Sequence, residues 1–319
     1  MDYSNIRGFN YRAGYGVTSM DEWMRFDADR IELELRRGKE YFPGMNTIRI
    51  WLSFDAYKYN KRRFLENLEK ELKIADWFGL RAVVCIFNRW KERHQDNGGV
   101  YLDHIIPAAN NGGWLEEYRD FTGDIVSEHI GDERILIWDI CNEPFSYAMS
   151  PESEIFIQYE LEWLTDHYRL IKSIDSKATA GVSIHPHHGK EGLVRIEPIS
   201  DVLMIHPYYL DDVGDEAKKK EFLESLKMNR DFAAGVKKPV LVTETCWGAL
   251  DDRQRVAFIE FTLRSLREYG FGFLAHALNY SICPDLHGPE DGPVGEPGNL
   301  AFINKDGSLR AGHDIFNQY

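Results

Sequence analysis

The stretch Asp132–Pro144, DERILIWDICNEP, decides the reading of the fold. It opens on charged residues, runs through Ile135, Leu136, Ile137, Trp138, Ile140 and Cys141, and closes on Asn142, Glu143 and Pro144. A nearly unbroken apolar run of this length predicts a strand covered on both faces, as in a parallel sheet wrapped by helices. Parallel α/β folds build their sites at the C-terminal ends of their strands, so the carboxylate at this tip is the informative residue. If Glu143 is functional, a second carboxylate should stand at the tip of another strand.

The same alternation continues on both sides. Upstream, Ile6–Asn10, Asn46–Leu52 and Leu80–Phe87 read as strands; downstream, Ala178–Ile184, Asp201–Tyr208, Pro239–Thr245 and Phe271–Leu278 do so. Between them, apolar residues recur at helical spacing. Met24, Ala28, Ile31 and Leu35 form one such face; Leu65, Leu68, Leu72 and Ala75 the next; Leu115, Tyr118, Phe121 and Ile125 a third. Ser150 and Pro151 resemble an N-cap and first helical position, ahead of Ile157, Leu161, Leu164, Tyr168 and Ile171. Helices are weak around Gly192–Ile196, clearer over Phe222–Ala234, opened by Asp251 and Asp252 in the next unit, and weak again within Ser308–Gln318. Eight strand–helix units with no Pro/Gly linker predict a single (β/α)₈ TIM barrel spanning 1–319. A doubly wound open sheet is the alternative. No GxGxxG follows the first strand, and no P-loop pattern is present.

Composition narrows the function classes. The chain has 319 residues and a formal net charge of −14, which disfavours nucleic acid and an anionic membrane surface as partners. With 8 Trp, 16 Tyr and 18 Phe, it has aromatic surface enough for a large core and for stacking on sugar rings. No apolar run approaches the ~20 residues that span a bilayer. The first residues show neither a basic nor an apolar signal region, so a cytoplasmic location is expected, although a secreted protein lacking its leader would read the same. Cys85, Cys141, Cys246 and Cys283 are widely spaced; three lie in strand-like stretches and read as reduced core residues. Oligomeric state is not readable.

Reading the strand tips in order yields the candidate site. They are Arg49, Asn88, Asn142 with Glu143, His185, His206 with Tyr208, Glu244, and finally His276 and Asn279. Glu244 ends the run Pro-Val-Leu-Val-Thr and is the second carboxylate the first one calls for. Two carboxylates across a pocket can cleave a glycosidic bond, one attacking the anomeric carbon and the other protonating the leaving oxygen. The nucleophile must stay ionised; Arg49, His206 and Tyr208 are placed to lower its pKa. The acid must hold a proton, which burial and the neighbouring carboxylate favour.

The set Arg49, Asn142-Glu143-Pro144, His206-x-Tyr208 and Glu244, in that strand order, resembles the clan A (β/α)₈ glycoside hydrolases. It looks closest to family 5, of cellulase and endo-mannanase type. Arg7-Gly8-Phe9-Asn10 and Asn46–Ile50 share the likeness, which spans nearly the whole chain. The resemblance implies a cofactor-free retaining hydrolase of β-mannan or β-glucan type carbohydrate, with Glu143 as acid/base and Glu244 as nucleophile. It further implies that Asn142 binds the sugar 2-hydroxyl, that Arg49 and Tyr208 hold the nucleophile, and that His206 lines the site. Two features depart from the pattern. The family's usual Trp at the end of strand eight is replaced by Ala275-His276-Ala277-Leu278-Asn279, and its usual His after strand three by Phe87-Asn88-Arg89-Trp90. Trp90 and Trp247 are candidates to supply the sugar platform, whereas Trp51, Trp138 and Trp163 read as packing.

Two rival classes remain open at this point. One is a carbohydrate-binding barrel without turnover. The other is a metal-dependent hydrolase built on His185, His187 and His188. Tyr280–Gly298, with four Pro, four Gly and four acidic residues, follows strand eight and reads as a loop or lid over the site.

Overall fold

The computed structural model describes residues 2–89, 99–107, 113–145, 153–281 and 299–319. Eight parallel strands close on themselves in chain order: β1 (Arg7–Asn10), β2 (Thr47–Trp51), β3 (Arg81–Asn88), β4 (Ile135–Asn142), β5 (Ala180–Ile184), β6 (Leu203–Ile205), β7 (Val240–Val242) and β8 (Gly272–Ala275). The seam is the pairing of β1 with β8 through Arg7, Gly8 and Phe9. This is the (β/α)₈ barrel that the strand–helix alternation predicts.

Helices cover the outside: α1 (Ser19–Met24), α2 (Ala28–Tyr41), α3 (Phe54–Tyr59), α4 (Lys61–Trp77), α5 (Leu102–Ile105), α6 (Trp114–Glu128), α7 (Glu154–Ile174), α8 (Gly189–Ile196), α9 (Glu216–Val236) and α10 (Asp252–Glu268). Some bounds differ from the sequence reading. The face drawn through Met24 and Leu35 is broken, because the Asp27 side chain caps a fresh helix by accepting from Arg30 N. A short α3 precedes α4, with Ser53 and Asn60 as successive N-caps. The Ser150–Pro151 cap lies outside the described residues. Asp251 caps α10 through Gln254 N, as expected. The final segment is a 3₁₀ helix, His313–Gln318, that packs on α10.

Strands β6, β7 and β8 are shorter than their apolar runs. Beyond Ile205, Val242 and Ala275 the chain leaves the ladder, and it is there that His206, Glu244 and His276 stand.

Side chains alternate across each strand, and this period of two builds the lumen in layers. Val83, Ile137, Met204, Leu241 and Leu274 pack together inside, closed off by Tyr3 and Ile6. Two residues further along the same strands come Cys85, Asp139, His206, Thr243 and His276, all buried. The lumen therefore changes from an apolar plug to a polar layer directly beneath the C-terminal mouth. The opposite faces of the strands form the larger core against the helices; Phe9, for example, stacks on Phe316 at 4.3 Å and meets Phe42 at 4.8 Å. Gly8 lets β1 and β2 approach: a Cβ there would sit 1.9 Å from the Thr47 carbonyl oxygen.

Candidate active site

The two glutamates meet at the barrel mouth. One oxygen each of Glu143 and Glu244 and a nitrogen of His206 all lie within 4.8 Å of one another. Both carboxylates are buried, at 4% and 6% exposure. Glu143 has a left-handed backbone, with φ of 46°, pinned by its N–H donating to Ser183 O at 3.0 Å; Cys246, just past Glu244, has φ of 67°. Such conformations cost on the order of 1–3 kcal/mol each and concentrate at functional sites.

Arg49 organises the floor. Its guanidinium is fully buried and donates to Asp139 Oδ2 from Nε (3.0 Å) and Nη2 (2.7 Å), and to Glu244 Oε1 from Nη1 at 2.5 Å. It also reaches Asn10 Oδ1 at 2.9 Å, Asn142 Oδ1 at 2.9 Å and Ser183 Oγ at 3.1 Å. A buried charge with that many partners is held in one orientation. Burial alone would pull its pKa down, but the negative charges of Asp139 and Glu244 hold it up, so it is cationic at every working pH.

The two glutamates have different partners. Glu244 Oε2 accepts from the Tyr208 hydroxyl at 2.7 Å. Burial pushes Glu244 up, but His206, Arg49, His276 and the Tyr208 hydrogen bond outweigh it and hold this carboxyl well below the usual range. Of these, Arg49 is the permanent charge at neutral pH; burial lowers His276 to about 4, so it is neutral there. Burial first, and then Glu244's own charge, raise Tyr208, which keeps its proton and donates. Glu143 instead meets His206, whose Nδ1 is 2.6 Å from Glu143 Oε1 and whose Nε2 is 3.0 Å from Thr243 Oγ1.

Tyr208→Phe should therefore leave the fold intact, lower kcat/KM roughly 10- to 150-fold for a lost hydrogen bond to a charged group, and move the acid limb of the pH–rate profile to higher pH. The sign follows from removing an interaction that favours the ionised form. A kcat/KM profile superimposable on that of the unsubstituted protein would contradict this contact.

The sequence-named residues divide as follows. Glu143, Glu244, Arg49, Asn142, His206, Tyr208 and His276 converge. Asn88 joins them through its Oδ1, which accepts from Asn142 Nδ2 at 3.1 Å. His206 was grouped with the residues acting on the nucleophile, but its short contact is to Glu143; Glu244 Oε2 is 3.6 Å away. Trp247 is half-buried with its ring edge-on to Tyr208 at 5.3 Å, at the rim of the site. Asn279 does not join the carboxylates: its amide donates to the Arg12 and Tyr280 carbonyls, and it lines a small cavity against Arg30 and Glu34 of α2. Trp90, Cys283 and the segment 282–298 lie outside the described residues. Cys85, Cys141 and Cys246 are free and buried, and Trp138 and Trp163 pack in the core, as expected.

His185, His187 and His188 do not present three ligand atoms to one point. His185 and His187 touch through their Nδ1 atoms, and His188 turns inward against Phe145. The groups whose ligand atoms converge, among the described residues, are Glu143–His206–Glu244 and Glu69–His129–Asp132. In the second, both carboxylates are taken by Arg134.

Sequence reasoning missed Asp139, Asn10, Ser183, Thr243 and Trp51. Asp139 had a legible signal: it is a lone charge inside an apolar run, in phase with inward-facing Ile137. Trp51, read as packing, lies over Arg49, whose guanidinium carbon is 4.4 Å from the ring centre. Its indole N–H has no hydrogen-bond partner among the described residues.

No family model and no curated protein matches the chain. Solved structures do. The exo-beta-1,4-mannosidase Op5Man5 from Opitutaceae bacterium strain TAV5 is 18% identical, with a TM-score of 0.77 over 98% of this chain, which spans 58% of that protein's length. A glycoside hydrolase family 5 mannosidase from Rhizomucor miehei is 15% identical with a TM-score of 0.70, over 98% of this chain and 92% of its own. Beta-glucuronidase 2 of Bacteroides uniformis is 16% identical with a TM-score of 0.67, over 98% of this chain and 34% of its own. The barrel is thus shared with family 5 mannosidases and related clan A glycoside hydrolases.

Proposed function

We propose that this chain is a retaining β-glycoside hydrolase in which Glu244 is the nucleophile and Glu143 the acid/base. The observation that carries the reading is the asymmetry of two buried, adjacent carboxyls: one is clamped by Arg49 and Tyr208, the other meets an imidazole. Oxygens within 4.8 Å of each other suit the ~5–5.5 Å carboxyl separation of retaining enzymes better than the ~6.5–9.5 Å of inverting ones. A binding barrel without turnover would need neither arrangement.

In the first step a Glu244 oxygen attacks the anomeric carbon, the bond to the leaving oxygen breaks, and that oxygen takes the Glu143 proton. In the second, the Glu143 carboxylate takes a proton from water. The resulting hydroxide equivalent attacks the same carbon and releases Glu244. His206 serves both states. When Glu143 is protonated its O–H donates to Nδ1 while Nε2–H donates to Thr243 Oγ1; when it is ionised, Nδ1–H donates to it. Arg49 and Tyr208 keep Glu244 ionised and fix the plane of its carboxylate, a preorganised field of the kind that lowers barriers.

The resemblance to family 5 and the mannosidases among the structural neighbours point to a β-mannoside, with a β-glucoside next. The test is hydrolysis of aryl β-mannoside, β-glucoside, β-galactoside, β-xyloside and β-glucuronide by the chain and by Glu244→Ala. Turnover of the mannoside or glucoside that disappears in the variant is expected. Absence of turnover on every member would overturn the reading.

A further inference from the structure

The end of β8 poses an unanswered question. An imidazole stands where the family pattern has a flat aromatic floor, and it is built in firmly. His276 N donates to Thr245 O at 2.9 Å, and its carbonyl accepts from Arg255 Nη2 at 2.8 Å. By the alternation that places Leu274 in the lumen, the ring of His276 points inward. It is 94% buried, taking its exposure of 6% from the whole. Yet among the described residues its Nδ1 has no hydrogen-bond partner, and Glu244 Oε2 is 3.9 Å away. That is beyond hydrogen-bond reach. A buried polar atom without a partner is unfavourable, and the position of this one, 3.9 Å from a Glu244 oxygen at the barrel mouth, lets a bound hydroxyl supply the partner.

The spacing says what would satisfy it. Nδ1 and Oε2 are close enough that one oxygen can lie about 2.8 Å from both. That oxygen must donate to a carboxylate and accept from an N–H, which is what a hydroxyl does and what a carbonyl or carboxylate does not. Beside an ionised Glu244 the Nδ1–H tautomer is the favoured one. With the anomeric carbon held against Glu244, the hydroxyl nearest this position is the one on the adjacent carbon, C2. Asn142 already spends Oδ1 on Arg49 and one amide hydrogen on Asn88, so a single N–H remains on it. A second donor for the same hydroxyl is therefore not redundant.

Resting on the glycosidase reading, we propose that His276 is a specificity-determining residue that holds the sugar 2-hydroxyl between its Nδ1–H and Glu244 Oε2. Recognition at the end of β8 then comes from a directed hydrogen bond and not from stacking. The requirement for a group that both donates and accepts makes the substrate a 2-hydroxy sugar and disfavours 2-acetamido sugars, whose amide nitrogen in that place can donate to Glu244 but cannot accept from Nδ1–H.

The test is a cycle of protein and substrate changes. The aryl β-mannoside and β-glucoside share one 2-deoxy analogue, the 2-deoxy-arabino-hexopyranoside, so a single compound removes the hydroxyl from either. Measure kcat/KM for parent and analogue with the unsubstituted chain, with His276→Phe, which keeps a flat ring without nitrogens, and with His276→Asn, which restores an N–H near the Nδ1 position. The expected result is that the parent-to-deoxy ratio falls about 10-fold in His276→Phe and recovers in part in His276→Asn. Intrinsic reactivity of the deoxy compound cancels in this comparison. Equal loss on both substrates, leaving the ratio unchanged, would show a merely structural residue and overturn the inference while the glycosidase reading stands. Should His276→Phe not fold, an unchanged ratio in His276→Asn, with a donor displaced from Nδ1, is set against its expected two- to threefold fall. If the unsubstituted chain hydrolyses neither parent but turns over another β-glycoside, the same ratio is measured with that sugar and its 2-deoxy analogue; if it hydrolyses none, the glycosidase reading fails, and this inference with it.

Discussion

Glu244→Gly should abolish hydrolysis of an aryl β-glycoside, by on the order of 10⁴-fold or more in kcat, about 5.4 kcal/mol of barrier, and added azide should restore turnover. The loss is large because glycine leaves no carboxylate at this position to form the covalent intermediate. Rescue follows from what the substitution leaves behind. Arg49 Nη1 and the Tyr208 hydroxyl, both of which donate to Glu244, face the cleared space and favour an anion there. Azide attacking from the Glu244 side gives a glycosyl azide of inverted, α configuration. Restored turnover without that product would mean that Glu244 does not occupy the nucleophile's position.

Glu143→Ala should split substrates by leaving group. For a poor leaving group the oxygen needs its proton in the transition state, and removing a general acid costs about 10²–10⁴-fold. For a dinitrophenyl leaving group the first step needs no proton, so the loss in kcat/KM, which reports that step, should stay within about 10-fold, while kcat falls because the second step loses its base. Azide should again rescue, now by replacing water in the second step, with a product of retained, β configuration. The opposite product configurations from the two variants assign the two roles independently. Equal losses on both substrate types would remove the acid role from Glu143.

The barrel and its two glutamates were legible because both depend on local pattern. Apolar runs such as Ile135–Cys141 and Pro239–Val242 announce buried strands, and a carboxylate at the tip of such a strand is conspicuous. What was illegible depends on closure of the barrel. The contact of Arg49 with Glu244 was expected, but its two bonds from β2 to Asp139 on β4, a strand that is not its neighbour, are encoded by no spacing. The same holds for His206: its strand end was readable, but its choice of Glu143 over Glu244 as close partner is set by rotation of the ring. Asn279 misled for a local reason. β8 ends at Ala275, so the period of two no longer governs a residue four positions later, and its amide turns to the Arg12 carbonyl. The break between α1 and α2 at Asp27 was in principle readable from the capping residue, which the apolar spacing of Met24 and Ala28 overrode. The missing Trp of strand eight was visible at once; its meaning required seeing that the His276 ring is buried beside Glu244, its Nδ1 without a partner among the described residues.

The central claim is that Glu244 becomes covalently attached to the sugar and that Glu143 serves the leaving group. The most direct measurement is mass spectrometry of the peptide map after incubation with a 2-deoxy-2-fluoro β-glycoside bearing a dinitrophenyl leaving group, which slows release of the intermediate. The account predicts one added fluoroglycosyl unit on the peptide that contains Glu244. A label on any other residue, or turnover of the parent glycoside with no adduct and an inverted first product, would contradict it.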